Sequence, residues 1–317
     1  MGALARQSPE SRETFSEDRR VATAALILVT AVWGLTFVQV KDAVELYPLF
    51  AFLAVRYAIA GVALAPPALG RLRGLGRDGL GAGGGLGVLV ALGIGLQTAG
   101  LERTTVTNTG FITGLYVLFT PLLALALFRT RISRELWLAV GLAIVGLAML
   151  SGIPESSASG DLLVLASTLA QALQIVMVGR YANRYDVFAL TFVQVATACA
   201  LFGAVALAIG DLSVPRGTTV WAALLVTGLF AVAFALLVQV WAQRRVSATR
   251  IAIIFSLEAV FAGVAGYLFA GDRLGAIGLA GCAVIFAGIL MAEPAAAAAL
   301  RRVVGRPSRE PAPRPPG

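Results

Sequence analysis

The feature that most constrains this chain is a succession of apolar runs, each about as long as a helix needs to cross a hydrocarbon core, roughly 20 residues. The first is Val21 to Val40, and further apolar stretches, broken by charges, Pro and Gly, follow it almost to the C-terminus. The pattern predicts five spans near 21–40, 48–69, 80–101, 106–128 and 132–151. It predicts five more near 161–180, 187–210, 219–242, 247–270 and 275–292. With 58% hydrophobic residues, 13% charged residues and a mean hydropathy of +0.86, the 317 residues carry more apolar surface than a water-soluble core of this size can hide. The expected fold class is all-α and integral to a membrane, because a helix satisfies its own backbone in lipid. The first run is too long for the core of a signal peptide and is expected to be retained.

A net charge of +8 and a pI near 10.3 would suggest nucleic-acid binding in a soluble protein. Here the basic residues fall in alternate connections. Arg6, Arg12, Arg19 and Arg20 precede span one, Arg71, Arg73 and Arg77 follow span two, and Arg129, Arg131 and Arg134 follow span four. Arg180 and Arg184 follow span six, Arg244, Arg245 and Arg250 follow span eight, and Arg301, Arg302, Arg306, Arg309 and Arg314 end the chain. The opposite connections hold only Lys41, Arg103, Arg216 and Arg273. Loops rich in Lys and Arg stay in the cytoplasm, so both termini are expected there. No stretch interleaves basic residues with aromatics, and no nucleic-acid partner is expected. Cys199 and Cys282 lie in apolar runs without a partner at metal or redox spacing and read as small packing residues. Histidine is absent, which removes the commonest general base and metal ligand. No metal and no cofactor are expected, and any proton coupling would have to use carboxylates.

The chain repeats itself. An offset of 138 places Leu35 on Leu173, Val38 on Val176 and Phe50 on Phe188, and from span three onward an offset of 142 places Gln97 on Gln239, Thr105 on Ser247, Thr107 on Thr249 and Gly146 on Gly288. Five spans per copy is an odd number, so the second copy enters the membrane upside down. Inverted repeats of this kind mark transporters, with a solute site near the midplane. The expected organisation is a cytoplasmic N-tail over 1–20, a first five-helix repeat over 21–152, a second over 153–293 and a disordered tail of Arg and Pro over 294–317.

Four segments carry a resemblance to a known family. They are Ala31-Val32-Trp33-Gly34-Leu35-Thr36-Phe37 with Val55-Arg56-Tyr57, Thr107-Asn108-Thr109-Gly110-Phe111-Ile112-Thr113 running on to Thr120-Pro121-Leu122, Phe255-Ser256-Leu257-Glu258-Ala259-Val260-Phe261, and Gly281 to Gly288. In this order and in two five-helix halves, the chain resembles the EamA-type transporters of the drug/metabolite transporter superfamily. The resemblance implies ten helices as two inverted repeats, alternating access and often export of amino acids, related metabolites or foreign compounds. It implies a multi-pass protein of the bacterial cytoplasmic (inner) membrane, with a small-molecule substrate and the lipid bilayer as partners, and leaves a homodimer open. Two positions depart from the family pattern. Ala259 stands where Pro often follows the span-nine Glu, which puts a helix break there in doubt, and Asp272 stands where a Glu is usual.

Arg56 and Glu258 lie deep in spans two and nine. A charge at that depth costs ~2.5–3.5 kcal/mol on insertion scales and is usually functional or paired. Arg56 either holds a substrate carboxylate, gates the pathway or pairs with Glu258. Glu258 either binds a proton, balances that charge or holds the bundle together. Ser167, Gln171 and Gln174 share one face of span six, and Gln97, Gln194 and Gln239 add amides in spans three, seven and eight. Such amides either line a polar cavity or join helices to one another. Trp33, Phe111, Tyr116 and Phe255 are candidate pathway aromatics, Trp33 most of all because it sits mid-span, away from the interface belt. The expected cavity uses spans one, two, four, six, seven and nine. The glycines from Gly81 to Gly87 lack a preceding strand and a following Gly-Lys-Ser/Thr, so they are no nucleotide loop. The alternative classes are a membrane-embedded enzyme, for which the Asp residues are too scattered, and a lipid scramblase.

Overall fold

The computed structural model describes residues 9–150, 157–269, 271 and 275–292. The expected tail 294–317, with Asp272 and Arg273, lies outside the described residues. The described residues form a bundle of ten spans. Span one is the helix Pro9–Leu46, span two Leu49–Leu69, span three Gly76–Leu101 and span five Arg134–Leu150. Span four is Val106–Gly114 continued by Tyr116–Phe128. Span six is Ala158–Tyr181, span seven Val187–Ala208 and span ten Ala276–Ala292. Span eight runs through Thr218–Val226, Thr227–Phe234 and Ala235–Ala242, and span nine is Ala248–Phe255 continued by Leu257–Phe269. Eight of these are long and apolar enough to cross a membrane. Spans five and ten have 17 residues each, the lower end of what a crossing needs, about 17–25.

The packing follows a pseudo-two-fold pattern. Span two lies on span seven and span five on span ten, while span one packs against spans eight and nine as span six packs against spans three and four. The contact between spans five and ten is made twice, once from each side. A Cβ at Gly146 would stand 2.6 Å from the Gly281 carbonyl oxygen, and one at Gly288 would stand 3.0 Å from that of Ala139. Only a residue without a side chain lets backbones approach so closely, the usual means of joining helices in lipid. The largest apolar side chains left exposed, among them Leu28, Val62, Leu92, Leu207 and Phe286, face outward, where lipid is their solvent.

Several hydroxyls buried in this bundle are satisfied locally. Those of Thr30, Thr36, Thr98, Thr168, Thr191 and Thr227 donate to carbonyls three or four residues back in their own helices. Three spans depart from regular α geometry. Span four breaks at Leu115 and span nine at Ser256, and span eight contains the π-helical segment Thr227–Phe234. The span-nine break occurs without the proline whose absence put it in doubt. Ala259 N donates to the Ser256 carbonyl, so the Phe255 carbonyl loses its place in the α ladder. The hydroxyl of Tyr116 takes that carbonyl up at 2.7 Å.

Candidate functional site

The irregular stretches converge on a cavity between the two halves, lined from spans one, two, three, four, six, eight and nine. The space open to the centres of water-sized spheres is about 70 Å³, room for roughly five waters at about 10–15 Å³ each. Trp33, Arg56, Gln97, Tyr116, Gln171, Gln174, Gln239, Phe255 and Glu258 all border it. Of the expected site residues, Phe111 and Gln194 stand outside the lining. Phe111 is half-buried in the apolar cluster around Tyr116 and Leu147, and Gln194 is fully buried behind Gln174. Spans three and eight contribute walls where the expected wall was span seven. Thr36, Tyr57 and Thr98 also border the cavity, although nothing in the sequence marks them as lining residues.

The lining is built from repeat-equivalent positions. At the offset of 138 Trp33 matches Gln171, Thr36 matches Gln174 and Phe37 matches Ile175, and at 142 Ile94 matches Leu236, Gln97 matches Gln239 and Tyr116 matches Glu258. The last pair touches, Tyr116 Oη to Glu258 Oε2 at 2.9 Å, which sets both on the pseudo-two-fold axis. Gly34 seats span one on this point, since a Cβ there would stand 2.8 Å from the Glu258 carbonyl. Trp33 donates its indole N–H to the Ala231 carbonyl, inside the π segment, at 2.8 Å and meets the Phe255 ring edge-on with centroids 4.8 Å apart. A wide π turn leaves a carbonyl to spare, and π bulges gather at functional sites for that reason.

The two halves differ in how their polar groups are used. In the second, Gln239 donates to Gln174 at 2.8 Å, Gln174 to Gln194 at 3.2 Å and Gln194 to the Leu190 carbonyl at 3.4 Å. Gln243 adds a bond to the Ile175 carbonyl, and Arg244 one to that of Ala182. Spans six, seven and eight are thereby tied at the end of the bundle where span one begins. The ion pairs there, Arg245 with Asp18 and Arg71 with Asp186, are solvent-exposed and contribute little. In the first half Val40, Arg56, Thr98 and Leu101 all border the cavity, whereas their counterparts Val178, Gln194, Val240 and Gln243 do not. The cavity therefore reaches from the midplane toward the opposite end of the bundle. Among the described residues, Arg56 and Glu258 form no ion pair with each other. No cluster of three or more metal-ligating side chains occurs among the described residues.

The chain is similar to known proteins along most of its length. The model of the EamA-like transporter family matches residues 21–152 and 158–292. A relative in Archaeoglobus fulgidus, an uncharacterized transporter, is 34% identical over 245 residues, covering 77% of this chain and 76% of that protein. The uncharacterized transporter YcxC of Bacillus subtilis is 24% identical over 288 residues, covering 85% of this chain and 91% of its own length. A crystal structure of a protein sharing 16% identity superposes with a TM-score of 0.70 over 90% of this chain and 99% of that one, a likeness of fold alone.

Proposed function

The chain belongs to the EamA-like transporters of the drug/metabolite transporter superfamily, multi-pass membrane proteins, and from that premise we propose that it is a secondary transporter of a small organic solute working by alternating access. The solute class proposed is an amino acid, a related metabolite or a drug, moved outward across a cytoplasmic membrane with both termini inside. The outward direction rests on the resemblance alone. The observation that carries the reading is the cavity itself. It lies between inverted halves, is lined by equivalent positions from both, and is tied at one end while reaching toward the other. That is the arrangement rocking halves need in order to exchange their conformations around a fixed site.

In this reading Trp33 and Phe255 hold the apolar part of the solute, and Gln97, Gln171, Gln174 and Gln239 line its polar surroundings. Gln194 supports Gln174 from behind, Phe111 backs the wall formed by Tyr116, and Arg56 supplies the cavity's positive charge. Glu258 carries the coupling proton. Tyr116 has one hydroxyl proton, and its oxygen lies 2.7 Å from the Phe255 carbonyl and 2.9 Å from Glu258. A carbonyl can only accept, so both short contacts are hydrogen bonds when Tyr116 donates to Phe255 and a protonated Glu258 donates to Tyr116. Flux of labelled amino acids and cationic dyes into proteoliposomes, with and without an imposed proton gradient, tests the proposal for the wild type and Glu258→Gln. The expected result is gradient-driven flux lost in the variant. Flux indifferent to both makes the protein a facilitator and returns Glu258 to a structural role, and no flux of any solute rejects transport by this cavity.

A further inference from the structure

The amide chain in the second half has an unfinished counterpart in the first. Arg56 occupies the position equivalent to Gln194, Thr36 that of Gln174 and Gln97 that of Gln239. Where Gln174 bridges its two neighbours, Thr36 is too short to bridge. Its hydroxyl donates to its own helix at the Trp33 carbonyl, and Gln97 turns its amide to Thr113 at 2.9 Å instead. Arg56 is 7% exposed, its Nε is buried without a hydrogen-bond partner, and it forms no ion pair among the described residues. An arginine cannot shed its charge, and a buried charge without a partner is strongly unfavourable. The Arg56 Nε is a buried donor for which none of the described residues supplies an acceptor.

The chemistry of the missing group can be read by comparing the halves. In the second, Gln194 offers a carbonyl toward the bridge, so the bridging group donates to it, and Gln239 offers an N–H, so the same group accepts at its other edge. In the first, Arg56 offers N–H groups only, and Gln97, which gives one amide hydrogen to Thr113, keeps a second. A group that accepts at both edges can bridge them. The group with the size of a side-chain amide and acceptors on both edges is a carboxylate, whose oxygens also suit the fork of a guanidinium.

Resting on the transporter reading above, we propose that Arg56, Gln97 and Thr36, its hydroxyl proton turned from the Trp33 carbonyl, form a subsite for the carboxylate of the transported solute. The bound carboxylate then ties spans one, two and three as Gln174 ties spans six, seven and eight. The solute completes the closing contact at its own end of the cavity, so binding and closure are one event. The rest of the molecule then lies beside Trp33 and Phe255, which suit an apolar side group.

A set of four matched probes isolates the carboxylate: L-leucine, isocaproate, L-leucinamide and isoamylamine. Calorimetric titration of each into the full chain in lipid nanodiscs is expected to show the two carboxylates binding about ten- to a hundredfold more tightly than the amide and the amine. Arg56→Gln, which installs the residue already present at the equivalent position, removes that preference. Arg56→Lys keeps it in weakened form, because the charge survives and the fork does not. Hydrogen exchange at residues 40–46 and 98–103 slows when a carboxylate binds. Equal binding of all four probes, tighter binding of the amine, no binding of either carboxylate, or an unchanged preference in Arg56→Gln each overturns the proposal. The ligand series on the wild type keeps the test decisive if a variant does not fold. Dye flux into proteoliposomes separates the two levels. Dye flux without carboxylate preference sinks the subsite and leaves the transporter, whereas no flux of any solute sinks the transporter reading itself.

Discussion

Gln174 joins three spans through one side chain, and replacing it with leucine tests whether that joint stabilises the bundle. Leucine has nearly the volume of glutamine, so the substitution opens no cavity. It removes the bond to Gln194 at 3.2 Å and the bond from Gln239 at 2.8 Å. A hydrogen bond between helices in a membrane contributes about 0.6 kcal/mol on average and about 1.7 at most. The greater cost lies in what is left behind. Gln194 is 0% exposed and Gln239 1% exposed, so a carbonyl and an N–H lose the partners the protein gives them. Each orphaned buried group costs about 1–3 kcal/mol, and relaxation of the amides recovers part of that. The expected destabilisation is about 2–4 kcal/mol for Gln174→Leu and about half that for Gln239→Leu, whose removal orphans one edge of Gln174 only. In the double variant the orphaned N–H is gone as well, so its destabilisation falls short of the sum of the two by about 1 kcal/mol or more. Reversible unfolding in bicelles, followed by steric trapping, measures all three. A Gln174→Leu cost below about 0.5 kcal/mol, or additivity of the pair within about 0.5 kcal/mol, refutes the view that this chain of amides is a structural tie.

Other substitutions probe other joints. Gly34→Ala sets a methyl 2.5 Å from Phe261 Cβ and 2.7 Å from the Ala262 nitrogen, and is expected to cost about 1–3 kcal/mol, whereas Gly70→Ala, with nothing within 4 Å, is neutral in the same thermal-unfolding assay. Equal melting temperatures for the two variants would contradict the close crossing of spans one and nine. Trp33→Phe keeps a ring against Phe255 but leaves the Ala231 carbonyl in the π segment without its donor, for an expected loss of about 1 kcal/mol. Phosphatase and fluorescent-protein fusions at each end of the chain should report the same side of the membrane for both termini, the cytoplasmic one. An active phosphatase at either end rejects that orientation.

Much of the fold is legible in the sequence, because in lipid the length of an apolar run is itself the structural signal. Most span boundaries fall within a few residues of the expected ones. The clearest exception is the helix of span one, which begins at Pro9 and runs through the charged residues before Val21. The inner walls are harder to read. A span that is apolar on every side carries no moment to say which face meets lipid and which meets another helix, so the sequence points to span seven where spans three and eight form the wall. The signal lies in the repeat. Gln97 and Gln239 are equivalent, and a polar residue kept at the same place in both halves points to the axis between them. The same comparison pairs Tyr116 with Glu258. The break at Ser256 is not legible, since it depends on Tyr116, distant in the chain and on another helix, taking up the freed carbonyl.

The doubled seam between spans five and ten bears on how the two halves have been free to diverge. Because each helix uses the same small residue against the other, a change at Gly146 disturbs the surface on which span ten rests, and a change at Gly288 disturbs the reciprocal one. One contact, written twice, resists drift in either copy. The lining is under no such rule. Trp33 has become unlike Gln171, Arg56 unlike Gln194 and Tyr116 unlike Glu258, while the backbone positions that carry them still correspond. A cargo with two dissimilar ends asks for two dissimilar walls, and the seam lets each half specialise toward one end without losing its grip on its twin.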